Sequence, residues 1–500
     1  MKFKLPGSFK TAEDLRARLA ELGLDVELVD ALGGSTGPLA QPIEWAPGRV
    51  LGNRFAVHPM EGWDGTRDGS PSELTLRRWR RFGRSGAALI WGGEAFAVRP
   101  DGRANPHQLH LEDDTREARE RAVRDLSALR AEVIAGRAEV EAPADVGPIG
   151  LQLTHSGRWS RPDGPPAPRP ATRDPLLDAR AGGDAPLLTD NELRAIRDRY
   201  ALCARLAQDA GFDFVDVKAC HGYLLHELLG ARGREVSVYG GPAFEDRARL
   251  FVETVEAVRE AAPGLTIGTR VSLFDVVPHR PRPDRLGEPA AARWDHGFGV
   301  RAERPTEFEE SEPARFLELL ALLGVRMVNV TLGSPYYNPH LQRPAAYPPS
   351  DGYQPFADPL VFVARHLDAT RAAKRLSPDA LVVGTGYTYL MDWLAHVAEA
   401  EVARGGVDVV GLGRMVLSYP ELPRDVLGDR PLARKLVCRT FSDCTTAPRN
   451  GMRSGCFPLD PVYRSLPERD ELEEIKKRLR TETTAPPAET RAADPKEPLS

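Results

Sequence analysis

The chain has 500 residues, of which 41% are hydrophobic and 28% are charged, with a formal net charge of −5. This composition suits a globular protein with a large core and excludes the basic stripe of a nucleic-acid binder and the polybasic patch of a membrane-surface protein. No stretch approaches the ~18 to 20 apolar residues of a membrane span, the N-terminus lacks the apolar part of a secretory signal, and the cysteine number is odd, so we expect a cytoplasmic protein.

Residues 1–50 are expected to form an N-terminal extension with one short helix at 12–22, followed by the main domain at 51–437. Helical periodicity is clearest at 190–209, with Asp190 as the predicted cap, and at 243–262. Eight short runs rich in Val, Ile and Leu predict buried parallel strands at 54–59, 87–91, 148–153, 212–218, 265–271, 326–331, 380–384 and 407–412.

Eight strand-and-helix units favour a closed barrel over a doubly wound sheet. We therefore predict an α/β fold, a single (β/α)8 TIM barrel with an N-terminal extension, a loop insertion after strand five and a C-terminal tail. The insertion, residues 273–313, is rich in Pro, Arg and Glu. It is either a lid over the site or only a polar surface loop. A segment with three cysteines follows at 438–466, and residues 467–500 predict a charged helix and then a disordered tail.

Chemistry in such a barrel lies at the carboxyl ends of the strands. Gly384 and Gly386 follow strand seven, and Gly413 and Arg414 follow strand eight. Glycines leave backbone N–H groups open to close approach and the arginine supplies a cation, so this set predicts a phosphate site. The same glycines also fit ordinary strand-to-helix turns.

The order of several motifs carries a family resemblance. NRFAVHPM, GLQLTHSGR, HGYLLHELL followed by YGG and EDRARLF, and GLGRMVLSYPEL lie between residues 53 and 427. Together they resemble the Old Yellow Enzyme family of barrels that bind flavin mononucleotide (FMN). CRTFSDCTTAPRNGMRSGCFPLDP, residues 438–461, further resembles the branch that contains 2,4-dienoyl-CoA reductase and trimethylamine dehydrogenase.

The resemblance implies a flavin-binding set. Pro59, Met60 and Ala95 would line the flavin, and Gln152 would hydrogen-bond the pyrimidine edge of its ring. Arg270 would lie near N1 and O2, where a fixed guanidinium stabilises the negative charge of the reduced flavin. Gly384, Gly386, Gly413 and Arg414 would hold the phosphate. The alternative for Gln152 and Arg270 is a polar network in the barrel core.

The same resemblance implies three catalytic residues. The side chains at positions 218 and 221 would donate hydrogen bonds to a substrate oxygen, and Tyr223 would protonate the α-carbon of an activated alkene. His221 and Tyr223 match the family, whereas Lys218 stands where many members have histidine, and it could instead pair with a carboxylate such as Glu61. Glu61 itself replaces the small Thr or Cys of many relatives, and we assign it no role.

The cysteines depart from the iron–sulfur relatives. Cys438, Cys444 and Cys456 are present, but Phe441 stands about where the second of four cluster ligands belongs. We predict no metal, although three thiolates could hold a damaged cluster or zinc. The C-terminal nucleotide-binding domains of those relatives do not follow in this sequence, so electrons are expected to reach FMN directly or from a separate protein.

The leading hypothesis is an oxidoreductase with FMN as cofactor and NADPH or NADH as reductant, acting as an ene-reductase on a small-molecule substrate. A flavin dehydrogenase or demethylase of an amine-type donor that passes electrons to a partner is the alternative, and an inactive barrel scaffold is a third. Barrels of this family often form dimers, so a homodimer is possible. The residues do not specify the natural substrate, the direction of reaction or the preferred nucleotide.

Overall fold

A computed structural model describes residues 3–143, 145–234 and 237–484. All eight predicted strands are present, and almost every residue in them is buried because barrel strands face a core inside and helices outside. In chain order they are β1 Phe55–Val57, β2 Leu89–Ile90, β3 Gly150–Thr154, β4 Phe214–Val217, β5 Thr266–Phe274, β6 Met327–Leu332, β7 Leu381–Gly384 and β8 Val409–Leu412.

The sheet closes on itself. Its strands are all parallel, and their order is β2-β1-β8-β7-β6-β5-β4-β3, followed by a ninth short strand, Ala95–Ala97. The ninth strand directly follows β2 in the chain, so the two ends of the order occupy one barrel position. A parallel bridge from Ile90 of β2 to Ile149, the residue before β3, completes the closure. The (β/α)8 barrel predicted from the sequence is confirmed.

Helices surround the barrel and follow its strands. The predicted helix at 190–209 is observed as Asp190–Asp209, but its cap is Thr189 and not Asp190, because the Thr189 hydroxyl accepts the Glu192 N–H in a capping box. The helices are Ala12–Glu21, Glu73–Gly83, Arg116–Glu139, Pro175–Ala181, Asp190–Asp209, Leu224–Leu229, Phe244–Ala261, Ser311–Leu322, Pro339–Gln342, Pro359–Leu376, Leu394–Ala403, Arg414–Ser418, Leu422–Leu427, Asp443–Arg449, Pro461–Arg464 and Glu468–Thr484.

Short antiparallel hairpins lie at both ends of the barrel. The strands Ile43–Ala46 and Arg49–Leu51 form a hairpin whose Trp45 packs 6.4 Å from the ring of Phe214 at the amino end of the strands. The predicted insertion contains two further hairpins, His279–Pro281 with Gly287–Pro289 and Val300–Arg301 with Arg304–Phe308.

The C-terminal segment, residues 438–484, packs over the carboxyl end of the barrel. Its helices enclose a separate apolar cluster of Ala447, Met452, Phe457, Tyr463, Leu472 and Ile475. Arg77 of the helix Glu73–Gly83 donates to both carboxylate oxygens of Asp460 at 2.8 and 2.9 Å, and the Ser454 N–H donates to the Gly62 carbonyl beyond β1. The predicted disordered tail, apart from the end of the last helix, lies outside the described residues. Within those residues no helix combines the length and apolar character needed to cross a membrane.

Candidate functional site

A cavity of about 250 Å³ opens at the carboxyl ends of the barrel strands. Gly384 does not line it, because this residue still belongs to β7, where an added Cβ would lie 3.1 Å from Val407. The other predicted site residues line this one cavity: Pro59, Met60, Ala95, Gln152, Lys218, His221, Tyr223, Arg270, Gly386, Gly413 and Arg414.

A buried carboxylate, Asp216 of β4, organises the floor of the cavity. It accepts hydrogen bonds from Gln152 Nε2 at 2.6 Å, Trp91 Nε1 at 2.7 Å and the Arg270 N–H at 2.7 Å. Burial raises the pKa of Asp216, and these donors oppose the rise. Gln152 therefore takes part in a core network, as the alternative prediction has it. Its Oε1, which has no partner among the described residues, is left to accept a hydrogen bond from a ligand.

Three arginines that form no ion pair in the described chain border the cavity, and each has a buried guanidinium nitrogen. Arg270 makes no side-chain hydrogen bond and its Nε is buried. Arg414 donates to the Pro344 carbonyl at 2.7 Å, and Arg343 donates to the Thr445 hydroxyl at 2.6 Å, but Arg414 Nη1 and Arg343 Nη2 are buried without a partner. Burial lowers the pKa of all three, that of Arg343 to about 10 with help from Arg414.

Glu61 connects two of the predicted catalytic residues. The Tyr223 hydroxyl donates to Glu61 Oε1 at 2.7 Å, and Lys218 Nζ lies 3.5 Å from the same oxygen and 3.7 Å from the centre of the Tyr223 ring. The alternative pairing of Lys218 with Glu61 is thus the observed one. Burial holds the pKa of Tyr223 well above its ordinary value, and the neighbouring Glu61 adds to the rise, so the phenol stays protonated at neutral pH.

His221 is held as a neutral ring. Burial keeps its pKa well below the ordinary value, and the cations Arg270 and Lys218 lower it further. Its backbone is left-handed, with φ of 66°, and is fixed by the Ser272 hydroxyl, which accepts the His221 N–H at 2.9 Å. The Gln342 amide lies 3.2 Å from Nε2. When Nε2 accepts this bond, the ring proton is on Nδ1.

The glycines and the loop after β7 shape the far end of the cavity. Gly386 has φ of +103°, which favours glycine, while an added Cβ on Gly413 would meet only the Met60 sulfur at 3.9 Å. Gly413 therefore leaves open space beside Arg414. Small residues beside two guanidinium groups, each with one buried nitrogen that lacks a partner, are a suitable environment for a phosphate.

Several lining residues were not predicted. Arg343 and Tyr336 follow β6, whose continuation TLGSPYYNPHLQRP lies at the carboxyl end of a strand and obeys the same strand-end rule. Arg449 and Ser454 come from the C-terminal segment and had no local signal. Asp216 had one, since it is an acid inside an apolar strand.

The three cysteines of the C-terminal segment are free thiols. Burial raises the pKa of Cys438 and of Cys456, and Cys444 lines the cavity. Across the described ranges, no group of three or more His, Cys, Asp or Glu side chains has an arrangement that could hold a metal ion. Phe441 is 41% exposed and contacts Tyr347.

FMN fits this donor set. Guanidinium nitrogens buried without a partner are costly, and a flavin phosphate beside Arg343 and Arg414 would accept from them, as would the acceptor atoms of the pyrimidine edge beside Arg270. Gln152 Oε1 could accept from the same edge, and Pro59 and Met60 supply apolar lining.

Known flavin oxidoreductases are similar to this chain in sequence. The family model described as the NADH:flavin oxidoreductase / NADH oxidase family matches residues 38–282. The NADPH dehydrogenase of Geobacillus thermodenitrificans is 26% identical over 387 residues, which are 75% of this chain and 90% of the relative. The NADH oxidase of Thermoanaerobacter brockii is 24% identical over 378 residues, again 75% of this chain, which spans about half (48%) of that relative.

A solved structure supports the fold. The Old Yellow Enzyme from Pichia sp. AKU4542 superposes with a TM-score of 0.55 at 19% identity, over 80% of this chain and 89% of that one. The resemblance read from the motifs is confirmed, and so, at the level of the family, is the predicted class of FMN-dependent oxidoreductase with NAD(P)H as reductant. Residues 38–282, just under half of the chain, thus resemble the NADH:flavin oxidoreductase / NADH oxidase family.

Proposed function

We propose that this chain is an NAD(P)H-dependent ene-reductase that reduces an activated C=C bond in a small molecule. The observation that carries the proposal is a protonated Tyr223 in the same cavity as the unpartnered cations Arg270 and Arg414. When bound, FMN supplies hydride transfer at its N5 atom, taking a hydride from the nicotinamide and giving one to the β-carbon of the alkene. Nicotinamide and alkene would use one site in turn, which predicts ping-pong kinetics.

The protein's own groups would polarise and protonate the substrate. Lys218 and the neutral His221 can donate hydrogen bonds to a carbonyl or nitro oxygen, which draws electron density from the conjugated C=C bond. Tyr223 holds a proton that it can give to the α-carbon. The low polarity of a buried cavity strengthens each of these interactions relative to water.

The proposal is tested by product analysis in heavy water. Wild-type holoenzyme with NADPH or NADH and 2-cyclohexenone in D₂O should give cyclohexanone with deuterium at the α-carbon, because the Tyr223 hydroxyl exchanges with solvent. Consumption of the nicotinamide without formation of the saturated ketone, under anaerobic conditions, would contradict it.

Glu61 favours a second candidate. Glu61 accepts a hydrogen bond from the Tyr223 hydroxyl at 2.7 Å and is therefore placed to take its proton. Deprotonated in this way, Tyr223 could act as a base toward an amine-type donor. In that direction the chain would be a flavin dehydrogenase that passes electrons to a partner. Anaerobic bleaching of the flavin by a secondary amine, with no response to either nicotinamide, would favour this candidate. A purified protein that retains no flavin would favour the scaffold.

A further inference from the structure

Cations outnumber acids in the lining of the cavity. Six arginine or lysine side chains line it, and Glu61 is the one acidic side chain among its described lining residues. Lys218 lies 3.5 Å from Glu61, and Arg270, Arg343 and Arg414 surround the place assigned to FMN. Two further cations, Arg161 and Arg449, remain, and the proposed function gives neither of them an anion.

Arg449 is held in a fixed position at the outer part of the cavity. Its guanidinium carbon lies 4.9 Å from the centre of the Tyr336 ring, Nη2 donates to the Pro335 carbonyl at 3.2 Å, and Nε lies 3.1 Å from an oxygen of Asp351. Nη1 has no hydrogen-bond partner in the described chain. Because the neighbouring contacts already restrict the side chain, Nη1 can bind a ligand with little further loss of entropy.

Arg161 reaches the cavity from the loop after β3. Its side chain is half-buried and makes no hydrogen bond or ion pair with any described residue. Burial raises the pKa of Tyr336 to about 12, Glu61 adds to the rise, and Arg449 and Arg161 both oppose it, so the two cations lie near this phenol. The Tyr336 hydroxyl is 3.0 Å from that of Tyr223, which puts both cations on the proton-donor side of the cavity.

From this geometry we infer that Arg161 and Arg449 bind an oxyanion, a carboxylate or a phosphate, of the molecule that occupies the cavity beside Tyr223. Guanidinium groups bind both oxyanions through paired, charge-assisted hydrogen bonds. The inference rests on the proposed function and narrows its substrate class to an activated alkene that carries a carboxylate. The other source of an oxyanion is the 2′-phosphate of NADPH, which would make the same pair a nucleotide-selecting site.

Ligand binding to the oxidised holoenzyme tests the inference without turnover. The probes are 4-oxopentanoate, the saturated form of a carboxylate-bearing enone, and its methyl ester, measured by isothermal titration calorimetry. The acid should bind about tenfold or more tightly than the ester to the wild type, and Arg161→Gln should remove most of this preference. Arg161 makes no contact that folding needs, and Arg464→Gln, an equal loss of charge at an exposed site outside the cavity, should change nothing.

A second variant and a second ligand separate the sources. Arg449→Lys keeps the positive charge but loses the planar guanidinium group. It should weaken the binding of 4-oxopentanoate severalfold and leave the binding of the methyl ester unchanged. If Arg161→Gln instead weakens the binding of NADP⁺ relative to that of NAD⁺, and the affinities for the acid and the ester do not change, the oxyanion is the nucleotide's phosphate.

Equal binding of acid and ester to the wild type, together with unchanged NADP⁺ binding in Arg161→Gln, would overturn the inference. Since no step of turnover is involved, failure of alkene reduction would leave this result valid. Reduction of neutral enones with no charge preference would exclude only the carboxylate as the source of the oxyanion and would leave the proposed function intact.

Discussion

The Tyr223 hydroxyl can be removed without changing the ring that carries it. In Tyr223→Phe the donor to Glu61 at 2.7 Å and the neighbour of Tyr336 at 3.0 Å are lost, while Lys218 keeps an aromatic ring 3.7 Å below its ammonium. Loss of one buried hydrogen bond to a carboxylate costs about 1–3 kcal/mol, so the variant should fold. A general acid contributes about 10²–10⁴-fold to rate, and alkene reduction should fall by that factor.

The two half-reactions separate this role from a general defect. Anaerobic stopped-flow spectroscopy should show flavin reduction by the nicotinamide within about threefold of wild type, because that step needs no proton from Tyr223. Reoxidation by 2-cyclohexenone should be slowed by the full factor. Tyr336→Phe is the matched control, since it removes the other hydroxyl of the pair and leaves the Tyr223 bond to Glu61. An equal loss in both half-reactions, or an unchanged reoxidation rate, would refute the proton-donor role.

Three further predictions concern the cofactor, the direction of reaction and stability. Arg414→Met should raise the dissociation constant of FMN by about 10- to 100-fold and leave that of riboflavin unchanged in fluorescence titrations of the apoprotein, whereas Arg270→Met should weaken both ligands. Glu61→Gln should speed reoxidation by the alkene, because the lost negative charge no longer opposes proton loss from Tyr223, and slower reoxidation would favour the dehydrogenase. Burial raises the pKa of Asp275 from 3.8 to about 7, so the stability that its protonated form contributes is present below about pH 4 and lost as the pH rises through 7. The melting temperature of Asp275→Asn should therefore gain on that of wild type between about pH 5 and 8, and a constant difference would contradict the shift.

The barrel could be predicted because its signal is local and repeated. Each strand is a short apolar run, and the rule that barrel sites lie at carboxyl ends turned a list of motifs into one cavity. Gly384 shows the limit of that rule. Its Gly-Thr-Gly motif suggests a phosphate cradle, yet the residue is still in the strand and is small because Val407 and the Tyr387 hydroxyl lie within 3.2 Å of an added Cβ.

The remaining features depend on contacts between distant parts of the chain. Glu61 and Tyr223 are 162 residues apart, and nothing around either one indicates their hydrogen bond. The sequence of the C-terminal segment gave no sign of a place in the site, but Arg449 and Ser454 line the cavity because the Ser454 N–H donates to the Gly62 carbonyl beyond β1. Arg343, by contrast, follows the end of β6 and could have been found with the strand-end rule.

Above all, we propose that the cavity holds FMN where it can react first with a nicotinamide and then with an alkene. The most direct measurement is the absorption spectrum of the purified holoenzyme during an anaerobic titration, first with NADPH or NADH and then with 2-cyclohexenone. We predict flavin bands near ~450 nm that bleach with the nicotinamide and recover with the enone. A bound flavin that neither nicotinamide reduces, or one that is reduced and is not reoxidised by the enone, would contradict the claim.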